Sequence, residues 1–261
     1  QGTALADYEA QVSPVPPTQQ LSVYKAMGVL KFDAGTLGNH EFNYGLPFLN
    51  QVLGGGLDVE GVNPAAASEG PGFPMVLANV LSEKTKKTLI QPYTILERRI
   101  TATRTDGTTV TLPIKIGFVG VTTPGILNWD KRFVEGKLRI DGAVESARKY
   151  VPELRAKGAD VVVALLHGGL DASAYQPTME NPGLHLAQVP GIDAMVMGHQ
   201  HGVFPDRGAN PGYKQPGVDN AAGTVNGVPA VMPSSWGKAL GVIALKLRWD
   251  GKAWSIDKAA T

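Results

Sequence analysis

The chain has 261 residues, with 24 Lys or Arg against 23 Asp or Glu, so it presents no strong field to a nucleic-acid polymer or an anionic membrane. A hydrophobic fraction of 43% and a charged fraction of 18% fit a globular protein with a large core, and no apolar run approaches the roughly 18 residues that span a bilayer. Zero cysteines exclude disulfides and thiolate metal sites, leaving His, Asn, Asp and Glu as ligands.

Residues 11–19 carry three prolines and predict a surface loop. Leu21, Tyr24, Met27 and Val29-Leu30 then recur at helical spacing, which predicts an amphipathic helix over residues 20–30. A second helix over 45–53 is closed by Gly54-Gly55-Gly56. Residues 57–73 are small, polar and rich in Pro and Gly, and predict a loop. Strands are expected at 75–80, 88–98 and 109–113, with Asp106-Gly107 as a hairpin turn, and a further strand at 114–122. Val144, Ala147, Val151 and Leu154 share one face of a helix from Asp141 to Lys157, ended by Gly158. The near-continuous apolar runs 160–166 and 192–197 predict buried strands. More strands follow at 228–232, 239–249 and 252–256, the last two joined by an Asp250-Gly251 turn. Strands and helices in this alternation give an α/β fold, with a mixed sheet or two packed sheets in one domain.

Four of the five histidines fall in three short motifs: Gly38-Asn39-His40-Glu41, Leu166-His167-Gly168-Gly169 and Gly198-His199-Gln200-His201. Neutral imidazole is the commonest protein ligand for divalent transition metals. Two of the motifs end predicted strands, and their glycines let backbone approach a ligand closely. In an extended backbone residues i and i+2 point the same way, so His199 and His201 are expected to face one site. Asn39-His40 admits two readings. Either a turn residue precedes a helix start, or an amide oxygen serves a metal while the adjacent imidazole serves substrate. His185, in a polar Pro-flanked loop, is read as surface, and the basic cluster from Lys84 to Arg104 as a solvated face. Trp236-Gly237 either lines a pocket or forms a packed turn.

These motifs resemble the last three of the calcineurin-like metallophosphoesterases. The stretch from Gly38 to Leu46 is similar to the 5′-nucleotidase branch of that superfamily. Within the branch, the resemblance is strongest to the bacterial periplasmic bifunctional 2′,3′-cyclic-nucleotide 2′-phosphodiesterase/3′-nucleotidases. It extends through residues 23–27, 128–131, 147–152 and 226–233.

The resemblance implies a four-layer αββα sandwich with mixed sheets and two divalent metal ions, drawn from Mn, Zn, Fe, Co or Mg. Asn39, His167 and His199 would hold one ion and His201 the other. His40 and Asn39 are the catalytic candidates, with His40 beside the scissile phosphate, where it stabilises charge or protonates the leaving alkoxide. The implied partner is a small-molecule nucleotide, hydrolysed by a hydroxide that the metals bridge, with no nucleic-acid polymer and no membrane. 5′-Nucleotidase or UDP-sugar hydrolase activity is the nearest alternative, and a non-catalytic metal- or nucleotide-binding module is a third reading.

Two earlier family motifs, an Asp-x-His and a Gly-Asp whose Asp bridges the metals, have no counterpart in matching context here. The expectation is therefore a catalytic domain over residues 1–261 with its N-terminal part missing, weakly active or inactive alone. Its partner would be a C-terminal nucleotide-binding domain of the parent chain. The resemblance and the lack of cysteine point to a periplasmic, secreted or cell-envelope location.

Overall fold

The computed structural model describes residues 2–65, 67–208 and 212–261. Its centre is an eight-stranded mixed sheet. Tyr93–Thr103 (β1) and Thr109–Thr122 (β2) form a long antiparallel hairpin. Val161–His167 (β3), Ala194–Met197 (β4) and Val228–Pro233 (β5) continue the sheet in parallel from β2. Short antiparallel strands at Thr224–Val225 and Val218–Asp219 extend one edge, and Val203–Phe204 pairs with the end of β5. The apolar runs of β3 and β4 follow from burial on both faces, as parallel strands between covering layers require.

The expected strands at 109–113 and 114–122 are one strand of 14 residues. Pro113 does not break it, because pairing with β3 starts only at Ile116 and the missing N–H costs no ladder bond on that side. The expected hairpin turn is present, closed by Arg104 N–H donating to the Thr108 carbonyl at 2.7 Å. Helices form at Ser22–Val29 (α1), Leu46–Leu53 (α2) and Ala143–Ala156 (α3). Gly54 ends α2 in the left-handed conformation, with φ 85°. The expected loop over 11–19 is entered later than foreseen, because Ala4–Asp7 and Tyr8–Val12 are helical. The expected strand over 239–249 is regular only from Ala244 to Trp249, with Leu240 and Val242 exposed before it. Among the described residues no helix is long and apolar enough to cross a membrane.

The two faces of the sheet are covered differently. On one, Val144, Ala147, Val151 and Leu154 of α3 are buried against Val119, Val121, Val162, Ala164, Leu166 and Met195. On the other lies a small parallel pair, Gly35–Thr36 with Met75–Val76. Beyond it, Tyr24 of α1 and Leu46, Leu49 and Val52 of α2 share a buried cluster with Leu37, Leu77 and Val80. The hairpin Ala244–Trp249/Trp254–Ala260 closes the far end of the same face, with Trp254 packed on Ile114 and Val161. The order helix, sheet, sheet, helix is that of the αββα arrangement, with the second sheet represented by short pieces.

Contact between the two sheets turns on Gly120. A Cβ there would lie 2.2 Å from the Val76 carbonyl oxygen and 2.5 Å from Thr36 Oγ1. Its own carbonyl accepts from Ala78 N–H at 2.7 Å. One residue on, the buried Asn79 amide meets Thr122 at both ends, donating to its carbonyl at 2.8 Å and accepting its N–H at 2.9 Å. Gly120→Ala should therefore destabilise the fold by about 1–3 kcal/mol, as overpacking does. Urea unfolding measures this, and an unchanged midpoint would show that the Val76 segment yields.

Candidate metal centre

The register of the central strands builds the site. Leu166 pairs with Met197, so His167 ends its strand level with Gly198, and His199 follows one residue later. The third contribution comes across the sheet interface. Gly38-Asn39 leaves the small pair and enters a 3-10 turn over Asn39–Phe42. The His167 ring lies so close to Gly38 that a Cβ there would be 2.5 Å from it. Glycine is thus set at this position by close approach.

Asn39 is 8% exposed, and its Oδ1 lies 2.7 Å from His167 Nε2, across 128 residues of sequence. The His167 and His199 rings are 5.1 Å apart. The far side of His199 is bounded by Trp129, whose ring is tilted 31° to it at 5.6 Å. Its Nε2 is 2.6 Å from Glu180 Oε1. Burial pushes the His167 imidazole down to about 4; the charge of Glu41 opposes this, and those of His199 and His40 add to it. His167 is therefore neutral at physiological pH, the form in which imidazole binds metal.

The structure corrects the expectation for His199 and His201. The strand stops at Met197, and both histidines are left-handed, with φ 66° and 57°, so the alternation of an extended chain does not apply. Gln200 N–H donates to the Gly198 carbonyl at 2.8 Å, and the Gln200 side chain is tied to Leu170 N–H at 2.9 Å. This tight turn gives the two rings different neighbours. His199 meets His167, and His201 stacks against Trp236 at 5.8 Å. Among the described residues no hydrogen bond or ring contact joins His201 to the other three. Ser234 and Trp236, on the loop bonded to Gly202, are left-handed too, with φ 62° and 56°. Such conformations cost of order 1–3 kcal/mol each outside glycine and gather at functional sites.

His40 stands in the same 3-10 turn as Asn39, with Nδ1 2.7 Å from Asn43 Oδ1 and Gly2 packed against its ring. His185 is apart, bonded to the Ser173 carbonyl at 3.0 Å and stacked with Tyr175. A cavity of about 1090 Å³ lies elsewhere, between the β1–β2 hairpin and the C-terminal hairpin, and none of the five histidines lines it. Sequence reasoning assigned no role to Glu180, Trp129, Asn43 or Asp130. Glu180 sits in an unpatterned polar loop, and the others become neighbours of the histidines only through the fold.

The donors that meet are two imidazoles and one amide oxygen, a set suited to a borderline divalent ion. Among the described residues no group of three or more His, Cys, Asp or Glu closes around one point. What the fold brings together is therefore Asn39 and His199, each against His167.

The neutral His167 makes the metal-free chain sensitive to acid. Unfolded, this imidazole protonates near 6.5; folded, it does so near 4. The unfolded state binds more protons between those values, so stability is full above pH 6.5 and falls as pH drops toward 4. Urea midpoints should fall over that window, and should fall less in His167→Asn.

No protein-family model matches the chain. It is 42% identical over 259 residues to the 2′,3′-cyclic-nucleotide 2′-phosphodiesterase/3′-nucleotidase of Salmonella typhimurium, covering 99% of this chain and 36% of that protein. It is 39% identical to the trifunctional nucleotide phosphoesterase protein YfkN of Bacillus subtilis, covering 98% of this chain and 16% of that protein. The chain thus spans about a third or less of the length of these curated relatives. The crystal structure of the calcineurin-like phosphoesterase YfkN from Bacillus subtilis superposes with a TM-score of 0.81 at 37% identity, covering 100% of this chain and 72% of that one. With its three histidine motifs at one end of the same architecture, the chain belongs to the calcineurin-like phosphoesterase family.

Proposed function

We propose that this chain is the hydrolytic domain of a nucleotide phosphoesterase acting on 2′,3′-cyclic nucleotides and 3′-nucleotides. The observation that carries this reading is the convergence of Asn39, His167 and His199 from three distant motifs at one edge of the sheet. The names of relatives at 42% and 40% identity support this substrate class. Calcineurin-like phosphoesterases are in general dinuclear metal enzymes. Asn39, His167 and His199 would hold one divalent ion, and His201 is the residue available to a second. When bound, such ions neutralise phosphate charge and activate water as a nucleophile at neutral pH.

The chain's own residues do the rest. Asn39 and Gly38 bring the 3-10 turn against His167, which fixes where His40 stands. His40 stabilises charge on the phosphoryl group or gives a proton to the leaving alkoxide. Glu180 holds the His199 ring through its hydrogen bond, the carboxylate–histidine arrangement that orients metal ligands. The base would be held by a C-terminal nucleotide-binding domain of the parent chain. We place the reaction in the periplasm or cell envelope, in keeping with a chain that has no cysteine.

Calorimetric titration of the metal-stripped chain with manganese tests the site. Binding should occur, should vanish in His199→Ala, and should weaken about 10–100-fold in Glu180→Gln. No binding to the unaltered chain would overturn the assignment. In the longer parent protein, turnover of 2′,3′-cyclic AMP should exceed that of 5′-AMP. His40→Ala should lower kcat by about 10²–10⁴-fold with little change in KM. Preference for 5′-AMP would favour a 5′-nucleotidase, the activity named for a Vibrio cholerae relative at 27% identity. Metal binding without turnover in the parent would favour a non-catalytic module.

A further inference from the structure

Asp130 is an acid that no step above uses. It is 4% exposed, at the junction of the short helices Ile126–Trp129 and Lys131–Val134. Its carbonyl caps the second of these, accepting from Phe133 N–H at 2.8 Å. Among the described residues its side chain makes one hydrogen bond, accepting from Asn43 Nδ2 through Oδ1 at 2.9 Å, while Oδ2 is buried without a hydrogen-bond partner. Among the described residues no cation pairs with it. A carboxyl group buried with a single amide partner is costly to bury.

What it fixes follows from donor chemistry. The Asn43 amide turns its NH₂ toward Asp130 and donates to Oδ1, an oxygen that here accepts. That orientation leaves Asn43 Oδ1 facing His40 Nδ1 at 2.7 Å. An amide oxygen only accepts, so the hydrogen of that bond resides on Nδ1. Which nitrogen of a histidine carries the proton is set by the bond the other nitrogen makes. The ring is held from a second side as well, since Gly2 lies close enough that a Cβ there would be 2.6 Å from His40 Cγ and Cδ2.

We infer that Asp130 is a positioning residue that, acting through Asn43, fixes His40 as its Nδ1–H tautomer and reserves Nε2 for proton exchange. The consequence for catalysis rests on the role proposed for His40. The mobile proton would be the one on Nε2: given to the leaving oxygen, it leaves a lone pair on that nitrogen while Nδ1 keeps its hydrogen. The tautomer itself does not depend on that role.

Long-range ¹H–¹⁵N NMR of the histidine rings, with His40 assigned by His40→Gln, tests this without metal or substrate. In the unaltered chain neutral His40 should be protonated at Nδ1 and bare at Nε2. Asp130→Asn frees the Asn43 amide to flip and should give a mixture of tautomers. Asn43→Ala should do the same. The exchange variant Asn43→Asp/Asp130→Asn reverses the bond between positions 43 and 130 but keeps an acceptor facing His40 Nδ1, a carboxylate that cannot flip to a donor, and should restore the Nδ1–H form. An Nε2–H form in the unaltered chain, an unmoved tautomer in folded Asp130→Asn, or a folded exchange variant that stays mixed would each overturn the inference. Should Asp130→Asn fail to fold, Asn43→Ala and the exchange variant decide it. Because no turnover is read, failure of this inference is distinguishable from failure of the phosphoesterase reading.

Discussion

The register between two parallel strands is the constraint on which the rest of this structure depends. With Leu166 opposite Met197, the carboxyl ends of both strands stop at one level, and each delivers a histidine there. Parallel strands buried on both faces hold register through packing, since a slip of one residue would turn every side chain to the opposite face. Val162, Ala164, Leu166, Met195 and Met197 share one buried cluster with the apolar face of α3. The 5.1 Å between the His167 and His199 rings is thus set by the hydrophobic core beneath them.

The third arm of the site depends on how closely two sheets approach. Gly120 removes the side chain that would hold the small pair away, and Asn79 stitches the following residues to the end of the central strand. The Gly38-Asn39 segment then arrives at the rim already against His167. A buried amide that satisfies an N–H and a carbonyl together is an economical join, because each of those groups would be expensive to bury alone.

At the rim the order reverses, and local geometry is spent on orientation. His199, His201, Ser234 and Trp236 all take left-handed conformations on two bonded loops. The backbone turn at Gly198–Gln200 aims His199 inward and His201 toward Trp236. Hydrogen bonds that Glu180 accepts from His199 and Asn43 accepts from His40 hold single rings, while Asp130 lies one bond further out. Rigid strands supply position and polar side chains supply angle.

Much of this was legible in the sequence, for physical reasons. The helix spacing of Val144, Ala147, Val151 and Leu154, the apolar runs before His167 and His199, and the glycines that close helices act within a few residues. The three histidine motifs were legible too, because close approach demands glycine beside the ligand. The merging of two expected strands at Pro113 was not, since it hinged on where a neighbouring strand begins. The separate ring partners of His199 and His201 were hidden because Gln200 is held by Leu170, thirty residues away. Asn43 and Asp130, 87 residues apart, carry no mutual signal in the chain. The sequence by itself determined the elements, their buried faces and the chemistry available at their ends, because those follow from short-range periodicity. Only the tertiary structure decided which ring faces which, because orientation comes from bonds between residues whose separation along the chain is arbitrary.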